Sequence, residues 1–172
     1  MMNQTPSLVV RRATNADLPS LGRLGALLVQ QHHDFDPRRF LAASRRTPDH
    51  YAEFLGSQLD DPDVLLLVAE QDGRVIGYTF AASEGYDYKS LRGPAALLHD
   101  VLVDPDHRGR GVGRRLLDET LSMMQSRGAR QIVLSTAERN ESAQRLFARM
   151  GFRPTMIEMT RDLDEPVAAV RR

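Results

Sequence analysis

A glycine- and arginine-rich segment is the part of the chain whose residue types point most directly to chemistry. Gly109, Gly111 and Gly113 stand at every second position, directly before an apolar-periodic stretch that predicts a helix. Glycine lets backbone N–H groups approach a ligand without a Cβ in the way. The first N–H groups of a helix have no internal partner and lie at its positive dipole end. The segment therefore predicts an anion site suited to a pyrophosphate.

The charge distribution supports that anion site. The 172 residues carry 23 basic and 23 acidic side chains, a net charge of zero, which argues against a general nucleic-acid binder. Four arginines nevertheless lie within eight positions, with no acid between them: Arg108, Arg110, Arg114 and Arg115. Cations in the first turn of a helix oppose its dipole by roughly 0.3–1 kcal/mol each, so a bound anion would relieve them. A solvated Gly/Arg loop is the alternative interpretation.

Two common nucleotide-binding motifs do not fit. A P-loop needs Lys and then Ser or Thr after its last glycine, whereas Gly113 is followed by Arg114 and Arg115. A dinucleotide fingerprint needs an acid at the end of the next strand, and that predicted strand ends in Ser135-Thr136.

Two motifs resemble one known family. Residues 108–113, Arg-Gly-Arg-Gly-Val-Gly, resemble the acetyl-CoA signature Arg/Gln-x-x-Gly-x-Gly/Ala of the GCN5-related N-acetyltransferase (GNAT) superfamily. Residues 140–152 resemble its Asn-x-x-Ala-x-x-Leu-Tyr-x-x-x-Gly-Phe motif, with Phe147 where the family usually has Tyr. The resemblance implies a GNAT-like fold whose co-substrate is acetyl-CoA, with no metal.

The resemblance also implies which residues hold that co-substrate. Backbone groups of the strand before the glycines would pair with the pantetheine arm, and the amides from Gly109 to Arg114 would hold the pyrophosphate. Asn140 would reach the co-substrate too, although it serves equally well as a helix N-cap. The full implied set is Val101, Leu102, Val103, Arg108, Gly109, Arg110, Gly111, Val112, Gly113, Arg114, Asn140 and Phe147.

By the same resemblance, the reaction is acetyl transfer to a primary amine of a small molecule or peptide. The chain has no Cys, which favours direct attack by the amine over an acyl-enzyme. His99 is the first candidate base, because relatives often place Glu or His nine residues before the position of Arg108, and Glu84 is the second. Histidine suits proton transfer near neutral pH, but a His that only packs on the sheet is the alternative. A regular strand would turn Asp100 to the opposite face, towards a structural contact.

The general acid stays unassigned, because Phe147 has no proton to give. Ser142, Tyr86 or water are the alternatives. For the acceptor cleft, His32 and His33 and the loop Glu84–Pro94 are candidates. The acids and aromatics there favour a cationic amine, a polyamine, an aminoglycoside or a peptide amine as the acceptor: Asp34, Asp36, Glu84, Asp87, Phe35, Tyr86 and Tyr88.

The predicted order of elements is β-α-α-β-β-β-α-β-α-β, a three-layer α/β/α fold. The resemblance implies a mixed, mostly antiparallel sheet splayed between the fourth and fifth strands. The predicted strands are 8–12, 64–70, 74–83, 95–103, 131–136 and 155–162. The predicted helices are one ending near Gln31, then 48–59, 112–127 and one capped by Asn140. We expect one domain over 1–163 and a loose tail over 164–172.

The sequence also bears on the cellular location, the partners and the competing functions of the protein. The chain has no apolar run of membrane-spanning length and its first residues do not resemble a signal peptide, so we expect a cytoplasmic protein without membrane or nucleic-acid partners. A homodimer stays open. The competing function is a non-catalytic acyl-CoA-binding or regulatory module, which Phe147 favours. O-acylation or a longer acyl donor is a third.

Overall fold

A computed structural model describes residues 7–164, which form a five-stranded sheet with helices on both faces. The strands are β1 (Leu8–Arg12), β2 (Val64–Gln71), β3 (Arg74–Glu84), β4 (Ala95–Val103) and β5 (Ile132–Leu134). The helices are α1 (Leu18–Phe35), α2 (Thr47–Gly56), α3 (Val112–Ser126) and α4 (Glu141–Arg149). None of the helices in this part of the chain is both long and apolar enough to cross a bilayer.

Strand β2 shows why the fold has three layers. Its side chains alternate in direction, so Leu65 and Leu67 pack with α3 and α4, whereas Leu66 and Val68 pack with α1 and α2. A strand covered on both faces needs apolar residues at every position, which accounts for the unbroken run from Val64. The three-layer prediction is confirmed.

The sheet is splayed where its last two strands separate. Strands β1 to β4 pair antiparallel in sequence order, and β5 joins β4 in parallel. The β4–β5 pairing covers only Ala96–Leu98 against Ile132–Leu134, whereas β4 continues to Val103. The second half of β4 therefore keeps one backbone edge uncovered, and the predicted mixed and splayed sheet is confirmed.

Two glycines let α2 lie directly on α1. A Cβ built on Gly22 would come within 2.2 Å of the Pro48 carbonyl oxygen, and one on Gly25 within 2.0 Å of the Tyr51 ring. No real side chain tolerates such distances, so only glycine allows this approach. The Tyr51 ring consequently crosses α1 and reaches the sheet.

The predicted last strand, Thr155–Asp162, is wrong. This segment has no regular secondary structure and joins no strand within residues 7–164, and Met156, Ile157 and Met159 are 74–90% exposed. Ion pairs link Glu158 to Arg39 and Asp162 to Arg38, so the segment lies beside the residues after α1.

Smaller differences concern the ends of elements. Helix α1 continues four residues past the predicted end, α2 runs over 47–56 and not 48–59, and β5 covers only three of its six predicted residues. The expected tail lies, beyond residue 164, outside the described residues.

Candidate active site

The loop before α3 presents a row of free backbone N–H groups. From Gly109 to Arg114 none of the six consecutive amides donates a hydrogen bond to any residue in the range 7–164. Gly109 and Gly111 have φ values of 74° and 81°, a region in which side chains are strained. A Cβ on either glycine would meet no protein atom within 4 Å, so this face of the loop is open. The geometry is that of an anion site at a helix N-terminus.

The side chain of Arg108 holds this loop in place. Its Nε donates to the Val103 carbonyl oxygen at 2.9 Å, and its Nη2 donates to Oε1 of Gln31 on α1, also at 2.9 Å. Arg114 lies 3.6 Å from Asp118 and is largely exposed. Two of the four clustered arginines, Arg108 and Arg114, thus have protein partners.

A cavity of about 270 Å³ opens where β4 and β5 separate. Residues from α1, the loop after it, both strands, the segment between β5 and α4, and α4 line it: Leu28, Val29, Gln31, His32, Phe40, Leu41, Leu98, His99, Asp100, Val101, Leu134, Ser135, Thr136, Asn140, Ala143 and Phe147. Of the predicted co-substrate residues, Val101, Asn140 and Phe147 line it. Leu102 instead turns its side chain to the core under α1 and α2.

Asn140, the N-cap of α4, and Phe147, on α4, each have a structural role and also line the cavity. Asn140 Oδ1 accepts a hydrogen bond from the Ala143 amide at 3.3 Å, so it caps α4 while lining the cavity. Phe147 is 6% exposed and packs edge-on against Phe152, with ring centroids 5.7 Å apart. Packing therefore accounts for an apolar ring at this position.

A bulge in β4 places two consecutive polar side chains on one face. Phe80 pairs with Asp100 and Ala81 with Leu98, so His99 has no partner on β3. His99 stacks on Phe80, with centroids 4.9 Å apart, and both His99 and Asp100 line the cavity. The prediction that Asp100 faces away from His99 is wrong, because it assumed a regular strand.

The two candidate bases lie next to each other. Nε2 of His99 is 3.3 Å from Oε1 of Glu84, and Oε2 of Glu84 accepts a hydrogen bond from Arg92 at 2.8 Å. Glu84 is not among the cavity residues, whereas His99 is. His99 therefore lines the cavity, and Glu84 contacts its ring from outside the cavity wall.

The acceptor-side candidates separate into two groups. His32 lines the cavity, with its Nδ1 2.9 Å from the Leu28 carbonyl oxygen. His33 does not line it and contacts the Phe40 carbonyl at 3.1 Å. Residues of the loop after Glu84 are also absent from the wall, and Tyr86 and Tyr88 stack on each other in solvent. Ser142 lines a neighbouring, more open depression.

A carboxylate held by two tyrosines completes the wall. Tyr51 Oη donates to Asp100 Oδ2 at 2.5 Å, and Tyr78 Oη donates to the same oxygen at 3.0 Å. Burial raises the pKa of Asp100, although the two hydrogen bonds and the nearby His99 and His32 work against that rise. Burial and then the Asp100 charge also raise the pKa of both tyrosine hydroxyls, so they remain donors.

Comparison with known proteins agrees with this geometry. The model of the acetyltransferase (GNAT) family matches residues 28–152, which is more than half of the chain. The chain belongs to the GNAT family. The matched region contains the cavity, the free amides and α4.

Curated relatives of this GNAT chain share part of its length. A mycothiol acetyltransferase from Thermobispora bispora is 37% identical over 89 residues, 49% of this chain and 28% of the relative. The L-amino acid N-acyltransferase MnaT of Escherichia coli is 35% identical over 88 residues, 51% of this chain and 49% of the relative. An uncharacterized N-acetyltransferase from Methanocaldococcus jannaschii is 25% identical over 150 residues, 87% of this chain and 62% of the relative. The chain spans less than two thirds of each of these three relatives.

Solved structures share the fold at low identity. A mutant protein from Bacillus halodurans superimposes with a TM-score of 0.80 and 18% identity, over 90% of this chain and 99% of that one. An aminoglycoside N-acetyltransferase in complex with CoA superimposes with a TM-score of 0.72 and 19% identity, over 95% of this chain and 99% of that one. The GNAT fold is thereby confirmed for this chain.

Sequence reasoning missed the Tyr51–Asp100–Tyr78 cluster in this GNAT site. The two tyrosines belong to no motif, and Tyr51 and Tyr78 lie 49 and 22 residues from Asp100 in the chain. The available signal was Gly25 in an otherwise regular helix, which marks a close contact without naming the partner.

Proposed function

We propose that this GNAT protein is an acetyl-CoA-dependent N-acetyltransferase that transfers the acetyl group directly to a primary amine of a small molecule or peptide. The observation that carries the proposal is the row of six free amides, Gly109–Arg114, beside the uncovered edge of β4. One structural neighbour is named as an aminoglycoside N-acetyltransferase in complex with CoA, and a curated relative as an amino acid N-acyltransferase. Both names support this reaction class.

The residues present fit acetyl-CoA. The free amides suit its pyrophosphate, and the uncovered edge of β4 beyond Leu98 offers N–H and C=O groups to the amides of an extended pantetheine arm. The cavity at the splay has room for the end of that arm and a small acceptor. When bound, acetyl-CoA supplies an acetyl thioester.

His99 is the residue that takes the proton of the attacking amine in this proposal. Its contact with Glu84 through Nε2 assigns the ring proton of neutral His99 to that nitrogen and leaves Nδ1 as the acceptor. Glu84, fixed by Arg92, stabilises the imidazolium that results. A backbone N–H on the uncovered edge of β4 polarises the carbonyl on which negative charge develops.

Protonation of the leaving thiolate needs no side chain here. The ring of Phe147 has no proton to donate, and Tyr86 lies outside the cavity wall. A thiol with a pKa of about 8.5 is an adequate leaving group, so water serves as the proton source.

The proposal is tested in two steps. Calorimetric titration with acetyl-CoA measures binding, and thiol release against a panel of amines measures turnover. We expect His99→Ala to lower kcat by roughly 10²–10⁴-fold without changing the Kd for acetyl-CoA. His50→Ala, an exposed histidine on α2, is the matched control and should leave both unchanged.

Each outcome separates the candidates. Absence of acetyl-CoA binding refutes the proposal altogether. Binding without turnover on a broad panel identifies the acyl-CoA-binding module, which the missing hydroxyl of Phe147 favours. Turnover that survives His99→Ala shows that the base is another group.

A further inference from the structure

The cavity wall contains a carboxylate that lacks a Lys or Arg partner. Asp100 is partly buried, and the cavity residues around it include no lysine or arginine. A carboxylate withdrawn from water without a cation is costly, and native structures normally pair it. Asp100 therefore stands in the site as a charge that a ligand could neutralise.

The hydrogen bonds of Asp100 leave one oxygen available. Both tyrosine hydroxyls donate to Oδ2, whereas Oδ1 accepts no hydrogen bond from any residue between 7 and 164. Nor is Oδ1 among the polar atoms sealed from solvent without a partner. Two rigid donors thus fix the carboxylate through one oxygen and leave the other open to the cavity.

The two nearby histidines make their hydrogen-bonding contacts elsewhere. His32 contacts the Leu28 carbonyl, and His99 contacts Glu84, so neither takes Oδ1. The remaining ionisable groups facing Asp100 are the hydroxyls of Tyr51 and Tyr78, which stay neutral donors. No side chain among residues 7–164 forms an ion pair or a hydrogen bond with Oδ1, so this oxygen is available to a cationic ligand.

A carboxylate at this position suits an amino group that does not react. An amine bound to a carboxylate is held in its charged form, and a protonated nitrogen cannot attack a thioester. Proton removal from the attacking nitrogen belongs to His99. An ammonium on Asp100 would instead fix the far end of an acceptor whose other end reaches the donor.

We propose that Oδ1 of Asp100 binds a second, non-reacting ammonium group, so that the acceptor is a compound with at least two amino groups, of which one is acetylated. The proposal rests on the proposed function and narrows its substrate class to diamines and larger polyamino compounds. The cluster of Tyr51, Tyr78 and Asp100 is then an ammonium subsite.

The experiment compares linear alkyl diamines with monoamines of the same carbon chain, at saturating acetyl-CoA, by thiol release. The wild-type protein should prefer a diamine by roughly 10- to 100-fold in kcat/KM, the range of one hydrogen bond between charged groups. Asp100→Asn keeps an oxygen for the tyrosine hydroxyls but removes the charge. It should abolish the preference by raising the KM for the diamine far more than the KM for the monoamine.

Two further variants separate recognition from folding. Tyr51→Phe removes one donor but keeps the carboxylate, so the protein should lose stability yet keep its preference for the diamine. Asp49 is an exposed acid on α2, two residues before Tyr51. Asp49→Asn should change neither the diamine preference nor the stability. Equal loss of preference in Tyr51→Phe and Asp100→Asn would show a structural role only and would overturn the proposal.

The remaining outcomes distinguish failure of this inference from failure of the proposed function. A wild-type protein that turns over both amines without preference overturns the inference and leaves the acetyltransferase proposal standing. If neither amine is acetylated, calorimetry of a diamine into the CoA-saturated protein replaces turnover, and equal binding to wild type and Asp100→Asn is the overturning result. Failure to bind acetyl-CoA is a failure of the proposed function, seen before any amine is added.

Discussion

Replacing Gly111 by alanine tests whether the free amides before α3 form an anion site. Gly111 has φ of 81°, and a side chain in this region costs about 1–2 kcal/mol. A Cβ there meets no atom within 4 Å, so no clash adds to that cost. For a chain of this size we expect the melting temperature to fall by about 2–4 °C per kcal/mol lost. The methyl group would also stand where an anion approaches the amides.

The matched control is Gly128, just after α3. Its φ is 91° and its Cβ would also meet nothing within 4 Å, but it lies at the other end of a 15-residue helix, roughly 20 Å away. Gly128→Ala should therefore cost a similar amount of stability. Only Gly111→Ala should weaken the binding of acetyl-CoA, with a Kd raised roughly tenfold or more, as expected when an anion loses one charge-assisted hydrogen bond.

Two measurements on each variant complete this test: thermal unfolding, and calorimetric titration with acetyl-CoA. Equal loss of affinity in both variants would mean that affinity follows stability. Unchanged affinity in Gly111→Ala would mean that the amides do not contact the ligand. Either result contradicts the anion-site assignment.

Three further changes test the scaffold. Gly25→Ala should displace the Tyr51 ring, which a Cβ would approach to 2.0 Å, and lower the melting temperature. Hydrogen bonds from Arg11 lower the pKa of Asp17 to about 2, so Asp17 stabilises the fold above its unfolded pKa near 3.9 by about 2 kcal/mol, and acid unfolding should show that loss as pH falls towards 2. Asp17→Asn should remove this pH dependence. Leu117→Ala, at a fully buried position, should cost about 2–5 kcal/mol in denaturant unfolding.

Much of the fold follows from local patterns. The unbroken apolar run of β2 required cover on both faces, and the glycines at 109–113 required an irregular loop before a helix. The segment 155–162 shows the limit of such patterns. Its composition suits a strand, but strand formation needs a neighbouring edge, and ion pairs with residues after α1 place the segment elsewhere.

The part of the candidate site proposed to bind acetyl-CoA was predictable from the sequence, whereas the part proposed to bind the amine was much less so. Free amides at a helix start are a local property, so the positions from Gly109 onward could be named from the sequence. Contacts with Asp100 depend on which helix crosses which strand, and Tyr51 arrives from 49 residues away through the space left by Gly25. No local sequence pattern predicts this contact between Tyr51 and Asp100.

The bulge at His99 makes the chemistry of β4 depend on how many residues the strand contains. The extra residue between the partners of Phe80 and Ala81 gives His99 and Asp100 a common face. Deleting one residue there would restore regular alternation and leave a single side chain of that pair in the cavity. A substitution scan at constant length cannot expose this dependence, whereas a one-residue deletion can. Length variation in this strand is therefore a route by which related chains could gain or lose the second polar group without changing any other residue.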